Sequence, residues 1–511
     1  MTVDNNSIKF KKFFSDFIVI EKHGTNLCGS WNKNDLKPFV VEESIVEQPK
    51  FLTEDDLKAL DDVAAFKTKK HVIKMEGDLN TKENRKALHL FIRQRFDNKL
   101  ASSSTDTGID VSLSSMKNKD KREIWPKNVG QFLHFTLKKT GHEGSYALNA
   151  LARSIGLVNS RIFNFAGSKD RRAVTYQRVS VFKMHPQKLL EGLAKQSNLD
   201  IELSEFSYEE NQVRFGAHDG NVFYILLRDA EIDVEKDAEI DVEKFNNVKN
   251  CGCLNLFGPQ RFGSLKVNTA DIGLMILKGD YKSAVEILLD QENVVNPQMK
   301  DLLKQYAESK LPSVLKNFPK KIETSNEAIL IRSLAKFNGQ TDCYFVSLQQ
   351  MPMRNRSLYL HAYQSKIFNE FAEIYRSKYG IEACADVEVP LPCSKVCETD
   401  GEVFEIYNQL LAKDGLTLAS FQPLEEAFGM HLTKRKLILM PEDMSYKVIH
   451  HSDPDARMIY YPPPEKEPDY GSGHQSVLLV FTLPSGGYAT TVLYDIYGQH
   501  FKAGDFQDSE E

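Results

Sequence analysis

The chain lacks any run of about 18 apolar residues, the length a membrane-crossing helix needs, so no membrane segment is expected. Its first ten residues, Met-Thr-Val-Asp-Asn-Asn-Ser-Ile-Lys-Phe, lack the apolar core of a secretory signal. Cysteine is scarce: there are seven in 511 residues, an odd number that suits reduced thiols in a cytosolic or nuclear compartment rather than a disulfide framework. Cys251 and Cys253 are separated by one residue, and Cys393 and Cys397 by three. Neither spacing is the two-residue knuckle of a zinc ribbon, so no metal site is expected. A large excess of one charge is also missing, with 65 Lys and Arg against 71 Asp and Glu. The net charge of -6 excludes a uniformly basic nucleic-acid binder, although an average can hide local patches.

What is present is ordinary globular composition, 41% hydrophobic and 27% charged, in a chain too long for one core, so two or three domains are expected. Ser15-Asp-Phe-Ile-Val-Ile-Glu21 reads as an opening strand. Residues 47–126 then change character and look like an inserted module, with the Ser/Thr/Asp-rich stretch Ala101–Ser115 as a loose loop. From Lys67 to Lys99 ten basic residues face four acids. Within the module Thr81–Asn98 has helical spacing: Leu88, Phe91 and Ile92 form the apolar stripe, and Lys82, Lys86, His89 and Arg93 the other face. A basic face is often merely solvated, but beside Arg85, Arg95 and the Lys67–Lys74 cluster it also fits RNA phosphate.

Gln131–Leu137 reads as a second strand, Ser145–Ile155 as a helix stopped by Gly156, and Val174–Phe182 as a strand whose Gln177 falls on the apolar face, costly without a partner. Val222–Leu227 is a further strand. Asp229–Lys236 is repeated without change at Asp237–Lys244, which reads as a duplication in an exposed acidic loop. From about 265 to 435 the pattern is helix-rich, with Asp271–Leu277, Tyr281–Leu289 and Leu358–Tyr375 as helices, and Ser476–Tyr494 returns to strand and turn.

Two segments carry candidate chemistry. In Gly167-Ser-Lys-Asp-Arg-Arg-Ala-Val-Thr-Tyr-Gln177, Asp170 is flanked by Lys169, Arg171 and Arg172, cations that would keep its carboxylate ionised and nucleophilic. Alone, such a turn is more often a solvated ion-pair loop. The second segment, Asn255-Leu-Phe-Gly-Pro-Gln-Arg-Phe-Gly263, joins an amide, aromatics and a cation, the groups that stack on and hydrogen-bond an unpaired base.

In this order the two segments resemble the signatures of the TruD family. Further similarity follows along the chain: Asp16-Phe17 with Glu21, Arg356 with Tyr363–Asn369, Arg435 with Met440-Pro441, and Phe481–Thr490. The resemblance implies an RNA pseudouridine synthase, which detaches a flipped-out uracil, rotates it and rejoins it through C5, with no cofactor and no metal. It identifies Asp170 as the nucleophile, attacking either sugar C1′ or base C6. Phe257 would pack on the flipped base with Asn255 beside it, and Gln260, Arg261 and Tyr488 would line the site. Lys11 would approach the aspartate, although Lys9 and Lys12 lie close enough to compete. A phenyl ring at 257 cannot accept the C5 proton as a tyrosine could.

The implied fold is α+β, an extended and mostly antiparallel sheet interrupted by a helix-rich insertion domain. The expected layout is 1–46 and 127–264 as catalytic domain, 47–126 as a basic eukaryote-type insertion, 265–435 as the insertion domain, 436–500 as the returning catalytic part, and 501–511 as an acidic tail. The implied partner is RNA, transfer RNA first and messenger RNA second, bound by a monomer in the nucleus, the cytoplasm or both. Leu256, Cys393 and Tyr494-Asp495 depart from the family pattern, as does Lys138–Gly144.

Overall fold

The structure is a computed structural model describing residues 9–30, 47–114 except 98, 125–228 except 127–128, 159 and 197–198, and 242–498 except 264–266, 320–321 and 323–324. Seven long strands form the central sheet: β1 (Phe17–His23), β2 (Phe132–Thr140), β3 (Val174–Phe182), β4 (Ile201–Glu209), β5 (Gly220–Arg228), β6 (Glu442–His451) and β7 (His474–Pro484). They lie in the order β4–β2–β3–β1–β5–β7–β6. Short strands Lys9–Phe10, Asn26–Leu27 and Phe163–Phe165 add to β5, β1 and β3. Only β1 and β3 among the long strands run parallel, with Ile18 beside Val174 and Ile20 beside Tyr176.

β3 is buried on both faces because it is central: Val179 and Val181 join Leu133 and Phe135 in one core, while Val174 and Tyr176 join Ile18 and Ile20 in another. Burying each such aliphatic or aromatic side chain contributes about 1.5–3 kcal/mol. Gln177 also lies inside, 1% exposed, and its Oε1 has no protein hydrogen-bond partner among the described residues. Thus the polar residue that stood out on the apolar face does enter the core. β6 and β7, from the end of the chain, pair onto β5 and bring the two ends of the sequence into one sheet.

Between Leu254 and Leu439 the chain is mostly helical. The helix Met353–Tyr379 is longer than the expected Leu358–Tyr375 and buries Leu360, Tyr363, Gln364, Ile367, Phe368 and Phe371, the three-and-four spacing of one inward face. Helix Thr269–Leu277 crosses it so closely that a Cβ on Gly273 would sit 2.2 Å from the Tyr359 carbonyl oxygen. Glycine is required there by contact, not by backbone angle.

Residues 54–113 form a separate small layer: helices Glu54–Ala64 and Lys82–Arg95 pack on strands Lys70–Lys74, Gly108–Leu113 and Leu100–Thr105 through Leu60, Val63, Leu88, Ile92, Ile109 and Val111. Within the expected loose loop Ala101–Ser115, Leu100–Thr105 and Gly108–Leu113 instead pair as a hairpin, Ser115 lying outside the described residues. Its serines read as loop residues, but Ser102 and Ser104 hydroxyls meet the two ring nitrogens of His89 at 2.7 and 3.1 Å. His89 therefore faces the hairpin and leaves the basic face on which its spacing had placed it. At the other end, the expected strand and turn within Ser476–Tyr494 are present, the strand to Pro484 and the turn over Ser485–Gly486, but not to Tyr494. Helix Ala489–Tyr497 follows, burying Val492, Leu493 and Ile496. The duplicated acidic segment lies outside the described residues up to 241, helix Val242–Cys251 begins within its second copy, and the acidic tail also lies outside the described residues. Among the described residues no helix is long and apolar enough to cross a membrane.

Candidate active site

Asp170 sits on the connection between the strand Phe163–Phe165 and β3. Its carboxylate meets two groups from distant parts of the chain: Lys11 Nζ at 3.0 Å from Oδ2, and Gln260 Nε2 donating to Oδ1 at 3.0 Å. Its carbonyl accepts from Lys139 Nζ at 2.7 Å. Both carboxylate oxygens are thus oriented, yet the side chain keeps 23% exposure.

Lys11 reaches this position through a left-handed backbone, φ 57°, a conformation costing a non-glycine residue about 1–3 kcal/mol. Its ammonium lies 3.7 Å from the Phe17 ring centroid. Burial pushes its pKa down, and the charge of Asp170 opposes that shift. The competing Lys12 pairs instead with Asp455, and Lys9 sits in the short strand opposite Arg228. Lys139 is fully buried at the end of β2, and burial pushes its ammonium down to about 8 against the pull of Asp170 and Glu143.

Lys169 does not stand beside the Asp170 carboxylate, as its place in the turn had suggested. It points into the sheet and pairs with Glu21 Oε2 at 2.7 Å. Adjacent residues of an extended segment face opposite ways, so sequence neighbours of a nucleophile are poor candidates for its counter-ion.

The second segment forms the wall of the site. Pro259–Arg261 is a single 3₁₀ turn that carries Gln260 to Asp170. Phe257, 8% exposed, is held through its backbone by both ends of the Asn369 amide, at 2.8 and 2.9 Å. Its ring packs edge-on to Phe368 and Tyr488, with centroids 5.6 and 6.3 Å apart. The Arg435 guanidinium lies 4.1 Å from the same ring and that of Arg261 5.3 Å. Arg435 also donates to the Asn255 carbonyl at 2.8 Å and to Asn255 Oδ1 at 2.6 Å, while Asn255 Nδ2 donates to the Lys436 carbonyl. Asn255 therefore spends its amide on joining two chain segments. Burial lowers the Arg435 pKa to about 10. Arg261 donates to Ser365 Oγ at 3.2 Å.

Lys139 was not singled out as a site residue by sequence, and Asn369 and Arg435 only within segments that carry the resemblance. Lys139 left one signal, a lysine continuing the inward row of Leu133, Phe135 and Leu137 on β2. Among the described residues there is one trio of possible metal ligands: the side-chain atoms of Glu21, His23 and Cys28 lie within 4.8 Å of one another. Glu21 is already engaged by Lys169 and by His23 at 2.8 Å, and burial pushes the Cys28 thiol up to about 12, so the trio acts as an ion-paired cluster.

A carboxylate oriented by an ammonium and an amide, beside a wall of aromatic rings and guanidinium groups, can attack a carbon centre next to a stacked base. The family model described as tRNA pseudouridine synthase D (TruD) matches residues 111–383 and 382–496. A Caenorhabditis elegans protein named as a pseudouridine synthase is 30% identical over 524 residues, covering 96% of this chain and 88% of its own. The multisubstrate pseudouridine synthase 7 of Schizosaccharomyces pombe is 27% identical, covering 83% and 71%. The crystal structure titled as TruD from Methanosarcina mazei is similar in fold, with a TM-score of 0.50 and 21% identity over 72% of this chain and 88% of that one. The chain belongs to the eukaryotic branch of the TruD family, the pseudouridine synthases that isomerise uridine within RNA.

Proposed function

We propose that Asp170 is the nucleophile and that the substrates are transfer RNA and, as a second class, messenger RNA. The observation that carries the first part is the double hold on the Asp170 carboxylate by Lys11 and Gln260, one from each flank of the site. The wider substrate range fits the multisubstrate name of the yeast relative. The target uridine is flipped out at a cost of a few kcal/mol of stacking and received against Phe257. Asp170 attacks sugar C1′ or base C6. In either route the N1–C1′ bond breaks, a C5–C1′ bond forms, the C5 proton leaves and N1 gains one, so the chemistry balances within one nucleotide. Phe257, lacking a proton-accepting atom, holds the base and leaves proton transfer to Asp170, another group or water.

Purified protein incubated with transfer and messenger RNA should yield mapped pseudouridine that is absent with Asp170→Ala. Equal signal from protein and variant overturns the assignment of Asp170. Phe257→Ala should lower kcat/KM by the value of one stacked base, about 1–3 kcal/mol or roughly 5- to 150-fold, and Phe257→Tyr should retain most of it. A Phe257→Ala variant with unchanged kcat/KM removes that residue from base binding.

The module at 54–113 is proposed as a phosphate-binding face. Lys69, Lys70, Lys74, Lys82 and Lys86 are all exposed in the module, with Lys82 and Lys86 one turn apart on its second helix. Each phosphate contact adds about 0.7–0.9 to the slope of log affinity against log salt. Lys82→Glu with Lys86→Glu should weaken RNA binding and flatten that slope by between one and two contacts, with the rate at saturating RNA unchanged. Binding isotherms at several salt concentrations check this, and an unaltered slope rules the face out.

A further inference from the structure

Beneath the Asp170 turn the sheet carries polar side chains where an apolar face would be ordinary. Glu21 lies opposite Asn221 on β5, and the parallel β1–β3 register, with Ile20 beside Tyr176, sets it next to Gln177. Asn221, Glu21 and Gln177 are 9%, 0% and 1% exposed, so three adjacent strands place polar groups in a row within the core. Burying a carboxylate without a cation is among the costliest arrangements in a protein. The cation here is Lys169, itself 4% exposed, at 2.7 Å from Glu21 Oε2, and it immediately precedes Asp170 in the chain.

The other carboxylate oxygen, Oε1, meets His23 Nε2 at 2.8 Å and accepts the Arg178 backbone N–H at 3.2 Å. Arg178 lies in β3, beyond the turn, where the β1–β3 pairing has ended at Tyr176. Glu21 thus holds the chain on both sides of Asp170, through Lys169 before it and Arg178 after it. Burial pushes the Glu21 carboxyl up, but the bonds from His23 and Lys169 outweigh this and leave it below the ordinary range, so the charge persists. Neither Glu21 nor Lys169 is a partner of the Asp170 carboxylate, which Lys11 and Gln260 engage. The bonded link from Glu21 to the nucleophile runs through Lys169 and the backbone of the turn.

We infer that Glu21 is a positioning residue for the isomerisation: its buried ion pair with Lys169 sets the direction in which the Asp170 carboxylate meets the bound uridine. The inference rests on Asp170 as nucleophile. A misplacement of about 1 Å at a reacting group can cost on the order of 100-fold in rate with binding unaffected.

Single-turnover rates at saturating RNA, RNA affinity and melting temperature should be measured for Glu21→Gln, Glu21→Asp, the double variant Glu21→Gln/Lys169→Met, and Asp170→Ala. Glu21→Gln should lower the rate by about 10- to 100-fold with RNA affinity unchanged. It should also lower the melting temperature, because Lys169 is left buried without its partner. The double variant removes both charges and should recover the melting temperature but not the rate. Glu21→Asp, which keeps the charge, should recover part of the rate. A wild-type rate in Glu21→Gln, a rate that recovers together with stability in the double variant, or a loss confined to RNA affinity each overturns the inference. An active Asp170→Ala overturns the nucleophile assignment as well; an inactive one beside a wild-type Glu21 series overturns only the positioning role.

Discussion

Asp170→Asn should abolish pseudouridine formation, with kcat falling on the order of 10⁴-fold or more, roughly 5 kcal/mol of transition-state stabilisation. Asparagine keeps the shape of the side chain and an oxygen for Gln260 or Lys11, but it has no negative charge with which to attack carbon. Because the group is 23% exposed and its ion pair bridges segments rather than filling a core, the fold should survive. The loss should therefore appear in single-turnover rate and not in RNA affinity. A variant that keeps a rate within tenfold of the parent excludes covalent or electrostatic participation by this carboxylate.

The second large effect is on stability. Arg228 and Asp16 are 0% and 1% exposed and form a two-pronged pair, with Nη2–Oδ1 and Nε–Oδ2 distances of 2.7 and 2.9 Å. Arg228 also donates to the carbonyls of Pro454 and Ala456 at 2.6 and 2.9 Å, joining the start of the chain to its returning end. Arg228→Met leaves a buried carboxylate and two carbonyls without their donor and should destabilise the protein by about 3–5 kcal/mol. The urea midpoint should fall accordingly. Adding Asp16→Leu should restore much of it by removing the orphaned charge, and a double-mutant cycle isolates the pair from the carbonyl contacts. Asp16 closes the 3₁₀ turn Phe14–Asp16 that follows Lys11, so Arg228→Met should also loosen the hold on Asp170 and lower the rate at temperatures where the protein is still folded. A loss of stability under about 1 kcal/mol would mean that relaxation or water compensates the lost contacts.

Local patterns carried much of the secondary structure. β3 was legible over Val174–Phe182, and the apolar stripe of Leu88, Phe91 and Ile92 marked the buried face of Lys82–Arg95. In both, the period of apolar side chains is set by the element itself and needs no knowledge of partners. The Ser-rich hairpin was not legible, because it is held by pairing with Lys70–Lys74 and by helices whose side chains, among them His89 and Leu88, come from elsewhere in the chain. The helix Ala489–Tyr497 was hidden behind a Pro-Ser-Gly-Gly turn that reads as more loop.

The site divides in the same way. The sequence by itself determined the chemical kinds at Asp170 and along Asn255–Gly263, together with the family to which they point, because those residues lie in contiguous segments. Tertiary structure decided which groups meet: Lys11 and not Lys12 at Asp170, Gln260 on the other oxygen, Lys139 on the carbonyl, Arg435 over Phe257, and Lys169 turned away to Glu21. Those choices depend on strand register and on chain segments far apart in sequence. Local propensity carries no record of them, whereas the cost of burying an unpaired charge enforces them once the sheet has formed.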